Sequence, residues 1–445
     1  MKKVCLALLL LLLCAMLGGC LLEPAENLYA PPKQSVDYYN LLSAIESAMP
    51  QGASYSAPVR GENQLAVQRV NLDDDPEDEA VAFWKTDGEK PLTIAVFDNK
   101  NGSFELMASL ELAGSAFTQV QYVQIDGEAG NEIVFGRQIS DQLPQLLCVY
   151  TMRDGALCEL LNTGYETYMT ADLNADGLQD IFLLNADGDA TNGAASLYRW
   201  KDGELTRSQE QKLTTPVGSV KRVIYGAVSV DVPAVFVASQ YGEDSTVTDI
   251  FALRGEEFVN LCAGDSIERS VKIVRGYFVY CCDIDGDGLI ELPRLVDLPA
   301  VEGDDYSDDQ KLISWYNLSA DGTEKEKLLT YHSYSGGWFF TVPTAWRDRL
   351  TVTRELDIGK TLCYRFYYRA GEKRYSLFSL TAISGSNVRQ TVEDSGWSVL
   401  STKGDTTYAA RLDAGAERYG LSLDILRENF RYIRVEWKTG EINRK

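Results

Sequence analysis

The sequence is almost without histidine, since His332 is the single one among 445 residues. A metal cluster built from several histidines is therefore excluded, and at most one histidine-centred nucleophilic triad is possible. The sequence also lacks the Gly-x-Ser-x-Gly elbow of the α/β-hydrolases. The Gly-Lys-Thr stretch at Gly359 is not a phosphate-binding loop, because Arg354 stands where that loop needs its upstream glycine. We expect His332 to be a surface or loop residue.

Positive charge is scarce as well, with 42 lysines and arginines against 65 acids and a formal net charge of -23. Nucleic-acid binding depends largely on basic side chains that neutralise phosphates, so no nucleic-acid partner is expected. Most of the acidic excess favours solubility. The clustered acids point to cation binding, and a glycosidase that uses a pair of carboxylates stays open as an alternative.

Six cysteines follow Cys20, and their spacings match neither a zinc site nor a disulfide framework. Cys148 and Cys158 flank a turn at Asp154-Gly155, where they could face each other across a hairpin. For most of the six we expect buried free thiols, because unpaired cysteine behaves as a small hydrophobic residue.

Long apolar runs are absent after the N-terminus, where residues 4–17 form one behind Lys2 and Lys3. This plan predicts a secretory signal peptide, and the run is shorter than the roughly 17–25 residues of a membrane span. An ordinary signal peptide or a short membrane span with an incidental cysteine is the alternative.

The segment Leu17-Gly18-Gly19-Cys20 resembles the bacterial lipobox. The resemblance implies a signal peptide over residues 1–19, diacylation of Cys20 and a mature chain that begins at this cysteine. Residues 20–35 are then the lipidated cysteine and a flexible tether. We expect an extracytoplasmic protein anchored to the bacterial cell membrane, at the cell surface, by its N-terminal lipid.

Four acidic segments recur along the chain, and each ends in an acid followed by a short apolar run typical of a buried strand. Their closing acids are 53, 48 and 111 residues apart. The last interval is about two periods, so a degenerate repeat is predicted near residue 233, within "AVSVDVPAVFVAS". The four segments are "VNLDDDPEDEAVAF", "VQIDGEAGNEIVFG", "ADLNADGLQDIFLL" and "CDIDGDGLIELPRL", closed by Glu79, Glu132, Asp180 and Glu291.

Turn glycines between strand-like flanks keep the same period, and Asp-Gly or Asn-Gly turns are strong hairpin signals. An acid loop, a buried strand, a connecting strand and a hairpin make about four strands in fifty residues, the size of a propeller blade. We therefore predict a mainly β fold: a β-propeller-like array of about five or more four-stranded blades over residues 60–335. The turn glycines are Gly102, Gly155, Gly203, Gly255 and Gly322.

The acid loops carry oxygen ligands at alternating positions, a pattern that suits Ca²⁺ with its six to eight oxygen ligands. Counted from Asp172 or Asp283, the twelfth residue is Leu183 or Arg294 rather than an acid, which excludes an EF-hand. The two complete ligand sets are Asp172, Asn174, Asp176 and Asp180, and Asp283, Asp285, Asp287 and Glu291.

These loops resemble the FG-GAP or VCBS-type repeats of integrin α-chain N-terminal propellers, whose pattern is Asp-x-Asp/Asn-x-Asp-Gly-x-x-Asp/Glu. In that family the loop joins strands within a blade and binds calcium, so the resemblance implies structural Ca²⁺ at the two complete sets. The first loop is a weaker candidate because Pro76 replaces the glycine. The second is weaker still, although Phe135-Gly136 follows it. Their oxygen-bearing residues are Asn71, Asp73, Asp75 and Glu79 in the first, and Asp126, Glu128 and Glu132 in the second.

Two segments flank the repeats. Residues 36–59 are predicted to be an amphipathic helix and lead-in that packs on the propeller. Residues 336–445 are predicted to be a small C-terminal α+β domain, or alternatively further blades that close the propeller. The first helix would bury Tyr38, Leu41, Leu42, Ile45 and Met49, and a C-terminal helix opened by Ser422 would bury Leu423, Leu426, Phe430 and Ile433.

From these features we expect a monomeric, non-catalytic surface module, tethered to the membrane, that binds a protein or a glycan. The alternatives are an envelope hydrolase that uses two carboxylates and a purely structural envelope component. Tyr331, Tyr334 and Trp338 are candidates for stacking on a ligand, with core packing as the alternative for Trp338.

Overall fold

The computed structural model describes residues 36–140, 144–186, 191–243, 245–262, 279–299, 311–319, 321–357, 361–385 and 388–434. The predicted signal peptide and the lipid site at Cys20 lie outside these residues. Within the described ranges, no helix has the length and apolar character that crossing a bilayer requires.

Six antiparallel sheets of four or five strands make up most of the described residues. Sheet 1 has β1 (Ser54–Tyr55), β2 (Val67–Val70), β3 (Glu79–Lys85), β4 (Leu92–Lys100) and β5 (Ser103–Leu112), with β1 and β2 both pairing with β3. Sheet 2 has β6 (Ala116–Val123), β7 (Glu132–Gln138), β8 (Gln145–Arg153) and β9 (Ala156–Tyr165). Sheet 3 has β10 (Thr167–Ala171), β11 (Asp180–Ala186), β12 (Gly193–Lys201), β13 (Glu204–Arg207) and β14 (Gln211–Lys212).

The remaining three sheets continue this plan. Sheet 4 has β15 (Val220–Ser229), β16 (Val232–Tyr241), β17 (Ser245–Arg254) and β18 (Glu257–Asn260). Sheet 5 has β19 (Leu292–Asp297), β20 (Lys311–Leu318), β21 (Glu324–Ser333), β22 (Trp338–Val342) and, paired with β22, β28 (Phe430–Tyr432). Sheet 6 has β23 (Leu350–Asp357), β24 (Thr361–Ala370), β25 (Lys373–Ser384), β26 (Ser398–Lys403) and β27 (Thr406–Leu412).

The strands that follow the first three acid loops are buried over most of their length, as the apolar runs predicted, whereas β19 after the fourth is buried only at its first two residues. In β3 and β7 the first six residues are buried, and in β11 the first five. Such strands need apolar side chains on both faces. The strand predicted near residue 233 is confirmed as β16 (Val232–Tyr241). The mainly β prediction therefore holds, with antiparallel four- and five-stranded sheets.

The turn glycines also lie where the period placed them. They join β4 to β5, β8 to β9, β12 to β13, β17 to β18 and β20 to β21, with φ between 61° and 87°. In three of these turns the preceding residue also has positive φ, namely Asn101, Asp154 and Asp202. Two consecutive residues with positive φ define the turn that matches the twist of a hairpin.

The chain divides into two compact units. The described residues of unit 1 are 36–57, 65–113 and 153–157. Its core joins sheet 1 to helix α1 (Val36–Ala48), whose Leu41 and Ile45 are buried with Trp84 and Phe97. Tyr38 was predicted to belong to the buried face of this helix, but it is 44% exposed, so the buried face is narrower than predicted.

In unit 2, which holds the other described residues, consecutive sheets share core clusters. Sheets 2 and 3, 3 and 4, 4 and 5, and 5 and 6 each bury side chains in a common cluster. The shared clusters contain Val134 and Leu183 for sheets 2 and 3, Phe182 and Phe251 for sheets 3 and 4, Phe236 and Trp315 for sheets 4 and 5, and Tyr331 and Phe366 for sheets 5 and 6.

The helices α2 (Val388–Asp394) and α3 (Leu423–Asn429) lie near the C-terminus, with short 3₁₀ segments at Val217–Ser219, Thr344–Trp346 and Glu417–Tyr419. Ser422 caps α3 as predicted, because its side chain accepts a hydrogen bond from the backbone N–H of Ile425. The predicted helix is too long, since Phe430 already belongs to β28 and pairs with Phe340. Strand pairing overrides the helical spacing there. The domain boundary at residue 335 stays a prediction.

Candidate metal sites

The four acid loops have nine residues each and are named by their first residue. They are the Asn71 loop (71–79), the Gln124 loop (124–132), the Asp172 loop (172–180) and the Asp283 loop (283–291). The first three join β2 to β3 in sheet 1, β6 to β7 in sheet 2 and β10 to β11 in sheet 3. In the fourth, an antiparallel bridge between Cys282 and Glu291 takes the place of the first strand.

A buried apolar residue at the second position anchors the closing acid of every loop. Its backbone N–H donates to one carboxylate oxygen of that acid, which is at most 5% exposed in all four loops. Removal from water raises the pKa of each closing acid, to about 7 for Asp180. The donor-to-acceptor distances are 2.7 Å from Leu72 to Glu79, 2.6 Å from Ile125 to Glu132, 3.2 Å from Leu173 to Asp180 and 3.0 Å from Ile284 to Glu291.

The first residue of each loop holds the turn together through its side-chain oxygen. Asp283 accepts backbone N–H groups from Gly286, Asp287 and Gly288 at 2.6 to 3.1 Å. The fourth residue has positive φ in every loop, which Gly127 and Gly286 adopt without strain. Side-chain to backbone bonds of this kind stabilise turns by themselves, so the loop shape alone is no proof of a bound ion.

The Asn71 loop brings together three acids, Asp73, Asp75 and Glu79. One carboxylate oxygen from each lies within 4.8 Å of the others. Glu79 is 1% exposed, and its Oε1 has no hydrogen-bond partner. A buried oxygen without a partner costs free energy comparable to a lost hydrogen bond, and more when it is charged. A cation at this cluster would compensate that cost.

The Asp283 loop brings together all four predicted ligands within the same 4.8 Å limit. Its cluster already holds a positive charge from the protein. The Nζ of Lys327 lies 2.9 Å from Asp285 Oδ1, 2.5 Å from Asp287 Oδ2 and 2.9 Å from Glu291 Oε1. This ammonium group lowers the pKa of the Asp287 carboxyl below its usual range. Glu291 Oε1 also accepts from Asn317 Nδ2 at 2.9 Å.

The Asp172 loop has an arginine beside its closing acid, with Arg199 Nε 3.9 Å from Asp180 Oδ1. Its Asn174 donates to Asp176 Oδ2 at 2.6 Å, so the amide faces the neighbouring carboxylate as a donor. Among the described residues, the acids of this loop form no group of three within 4.8 Å. The sequence motif is complete here, but the carboxylates are not gathered.

The Gln124 loop compensates its closing acid with neutral groups. Glu132 Oε1 accepts from the hydroxyl of Thr151 at 3.1 Å, while Oε2 takes the backbone N–H of Ile125. Gln124 replaces the first acid and donates to the carbonyl of Gly130 at 2.5 Å. Both oxygens of the closing acid are therefore satisfied, and no cation is needed at this loop.

The four loops differ in which groups lie next to their closing acids. Glu79 has the unpartnered oxygen, although Pro76 made its loop the weaker candidate. The signal that the motif missed lies on β8, β12 and β20, where Thr151, Arg199 and Asn317 lie next to the closing acids of their loops. Strand pairing between Ile133 and Tyr150, Ile181 and Tyr198, and Leu292 and Tyr316 sets these neighbours.

The predicted aromatic platform is wrong for two of its three residues. Tyr331 and Trp338 are 2% and 1% exposed, and both belong to the core shared by sheets 5 and 6. Tyr334 is partly buried against the core of sheets 4 and 5. Core packing, the alternative for Trp338, is what the structure shows, because β21 and β22 turn these rings inward.

His332 is likewise not a loop residue, and it is partly buried. It lies in β21 with its ring stacked on Phe339 at 5.0 Å between centroids, and it also contacts Trp315 and Tyr334. Nε2 is 2.9 Å from the hydroxyl of Thr330, and burial lowers the pKa of His332 to about 3. A neutral histidine packed among rings is a structural residue. Free thiols are found at all six cysteines after Cys20, and all but Cys158 are buried, as was expected for most of them.

Two cavities among the described residues bear on the glycosidase alternative. One, of about 360 Å³, is lined by serine, glycine, tyrosine and other neutral residues such as Tyr364, Thr406 and Tyr408, and by no acid. The other, of about 580 Å³, has one lining acid, Glu105. A carboxylate-pair glycosidase needs two, and neither of these two cavities supplies the pair.

No family model matches the chain, and no curated protein matches it. Among solved structures, it is similar to the exotype rhamnogalacturonan lyase YesX, with a TM-score of 0.30, 14% identity and 74% of each chain covered. The Bacillus licheniformis rhamnogalacturonan lyase PL11 has a TM-score of 0.30, 12% identity and coverage of 71% of this chain and 74% of that one. For the rhamnogalacturonan lyase YesW the values are 0.31, 12%, 73% and 75%.

These comparisons correct two expectations of the sequence analysis. The chain was expected to be a non-catalytic surface module and not an enzyme, whereas the three similar structures are all named as lyases. We therefore no longer hold either expectation. At TM-scores of 0.30 and 0.31, the names of these proteins do not assign a reaction or a substrate to this chain.

Proposed function

We propose that the protein binds Ca²⁺ at the Asn71 loop. The observation that carries this proposal is the buried, unpartnered Oε1 of Glu79 beside the carboxylates of Asp73 and Asp75. Ca²⁺ prefers hard oxygen ligands and accepts carboxylates, amides, backbone carbonyls and water in flexible geometry. Three carboxylates in one loop offer such a set, and a divalent ion would offset most of their charge.

The test is a calcium titration of the purified protein, followed by isothermal calorimetry and by thermal melting with and without chelator. We expect Ca²⁺ to raise the melting temperature, by a stabilisation of about 2.7 kcal/mol at one hundred times the Kd. Glu79→Gln should abolish this response, and in chelator it should melt higher than the wild type because it removes an uncompensated buried charge.

Glu111→Gln is the matched control, since Glu111 is an exposed acid on β5 of the same unit. It should keep the calcium response of the wild type. An equal calcium response in Glu79→Gln and the wild type would sink the proposed site.

We also propose the finer fold description, in which the sheets are blades of a β-propeller-like array of FG-GAP or VCBS type. Its support is the antiparallel order of sheets 2 and 4, the equivalent placement of the acid loops, and the core clusters shared by consecutive sheets of unit 2. A crystal structure in which the sheets do not surround a common axis would contradict this description.

The proposed location is extracytoplasmic, with the chain attached to the membrane by a diacylated Cys20. Its support is the sequence: Lys2 and Lys3, the apolar run of residues 4–17 and the small residues that precede the cysteine. Outside the cytoplasm, a calcium site with a Kd as weak as about 10⁻⁴–10⁻³ M is typical of structural modules.

A further inference from the structure

Lys327 reaches the Asp283 loop because of an irregularity in strand pairing. Between β20 and β21, Trp315 pairs with Leu328 and Tyr316 pairs with Glu326, which leaves Lys327 without a partner residue on β20. A bulge of this kind adds one residue to a strand and changes the direction of its side chain. Here the side chain ends among three carboxylates of a loop that lies 36 to 42 residues earlier in the chain.

Sheet 1 has a bulge at the corresponding place. Between β4 and β5, Val96 pairs with Ala108 and Phe97 pairs with Leu106, which leaves Met107 as the additional residue. The two bulges can be aligned through the closing acids of their loops. The residue that follows Glu79 pairs with Phe97, and the residue that follows Glu291 pairs with Tyr316, and both bulges lie directly beside these pairs. Met107 and Lys327 therefore occupy the same position relative to their loops.

We propose that the residue at this bulge decides which acid loop takes a metal ion. Lys327 is a built-in cation that fills the Asp283 loop and makes it independent of divalent ions. Met107 offers no charge, so the Asn71 loop is left to bind Ca²⁺. The second half of this inference rests on the proposed function, whereas the first half stands on the contacts of Lys327 alone.

Geometry excludes simultaneous occupancy of the Asp283 loop by both cations. The ammonium group lies within 2.9 Å of Asp285, Asp287 and Glu291, which are three of the four predicted ligands. A calcium ion bound by the same oxygens, at about 2.3–2.6 Å, would have to displace it. Glu291 is completely buried, so its contact with Lys327 is poorly screened by water and salt.

The test is to replace Lys327 by the residue that sheet 1 has at the bulge. We expect Lys327→Met to bind one more equivalent of Ca²⁺ than the wild type, measured by calorimetric titration of the full chain with CaCl₂. In chelator it should melt below the wild type, and Ca²⁺ should restore the loss. Lys325→Met is the matched control, because it removes the same charge from an exposed position on β21 and should add no site.

Two further variants make the result decisive. Lys327→Gln, which keeps a polar side chain, repeats the experiment if the methionine variant does not fold. Combining either variant with Glu79→Gln separates the two proposals, because the added equivalent must persist when the Asn71 loop is disabled. It must disappear when Asp287→Asn is added.

Two results would overturn the inference. One is an unchanged number of calcium equivalents in both Lys327 variants. The other is loss of an equivalent from the wild type on Asp287→Asn alone, which would mean that the loop binds Ca²⁺ despite Lys327. Failure of the proposed function has a different signature, in which Glu79→Gln leaves the calcium binding of the wild type unchanged.

Discussion

A buried carboxylate destabilises a fold unless its charge is compensated, and the four closing acids differ in how that is done. Glu132 relies on a threonine hydroxyl, Asp180 on a distant arginine and Glu291 on a lysine and an asparagine. Glu79 has an oxygen with no partner. These differences, rather than the agreement of the loops with a motif, determine where an external cation would stabilise the protein most.

The neutral state of His332 predicts an acid sensitivity. Its pKa in the folded protein is about 3, below the value of about 6.5 in an unfolded chain. The unfolded state therefore binds more protons between these pH values. The stability contributed by this group is complete above about pH 6.5 and is lost as the pH falls toward 3, by at most about 1.4 kcal/mol per pH unit.

His332→Gln cannot titrate in this range and can still bond to the hydroxyl of Thr330. We expect the free energy of unfolding of the wild type to fall relative to this variant as the pH is lowered from 7 to 4. Urea unfolding of both proteins across that range is the measurement. A constant difference between them would show that His332 does not carry the effect.

At the scale of the element, the hairpins β4–β5 and β20–β21 have a bulge at the corresponding position but a different residue in it. In sheet 5 the bulge places a lysine in an acid loop, and in sheet 1 it carries a methionine. Bulges redirect a side chain without changing the strands around it. One substitution at this position should therefore change the ion requirement of a loop and leave the sheet intact.

Met107→Lys is the corresponding prediction for sheet 1. The new ammonium group should compensate Asp73, Asp75 and Glu79, raise the melting temperature in chelator and remove the calcium response of the Asn71 loop. Ser109→Lys, at an exposed position of the same strand, is the charge-matched control and should preserve the response. A calcium response that survives Met107→Lys would show that the two bulges are not equivalent.

At the scale of the whole molecule, described residues 36–434 fold into sheets whose cores are formed within two compact units. The proposed attachment of this protein to a membrane depends on residues 1–20 instead. We expect the wild type to fractionate with membranes and to carry a diacylglyceryl group on Cys20, as shown by intact mass. Cys20→Ser should lack this lipid mass, and an unmodified Cys20 in membrane-purified protein would contradict the attachment.

The sequence by itself determined the sheets and the loops, because both depend on contacts over short chain distances. Apolar runs specified buried strands such as β7 and β16, and Asp-Gly or Asn-Gly pairs specified hairpins. The length of the C-terminal helix was misjudged because a distant strand, β22, captures Phe430. The spacing of Tyr331 and Trp338 likewise could not predict that their side chains point into the core.

Only the tertiary structure decided which groups lie beside each closing acid. The lysine of the Asp283 loop comes from 36 residues beyond Glu291, and a bulge directs it there. Local chemistry builds an acidic turn, but strand register determines what neutralises it, and register is set by the packing of whole sheets.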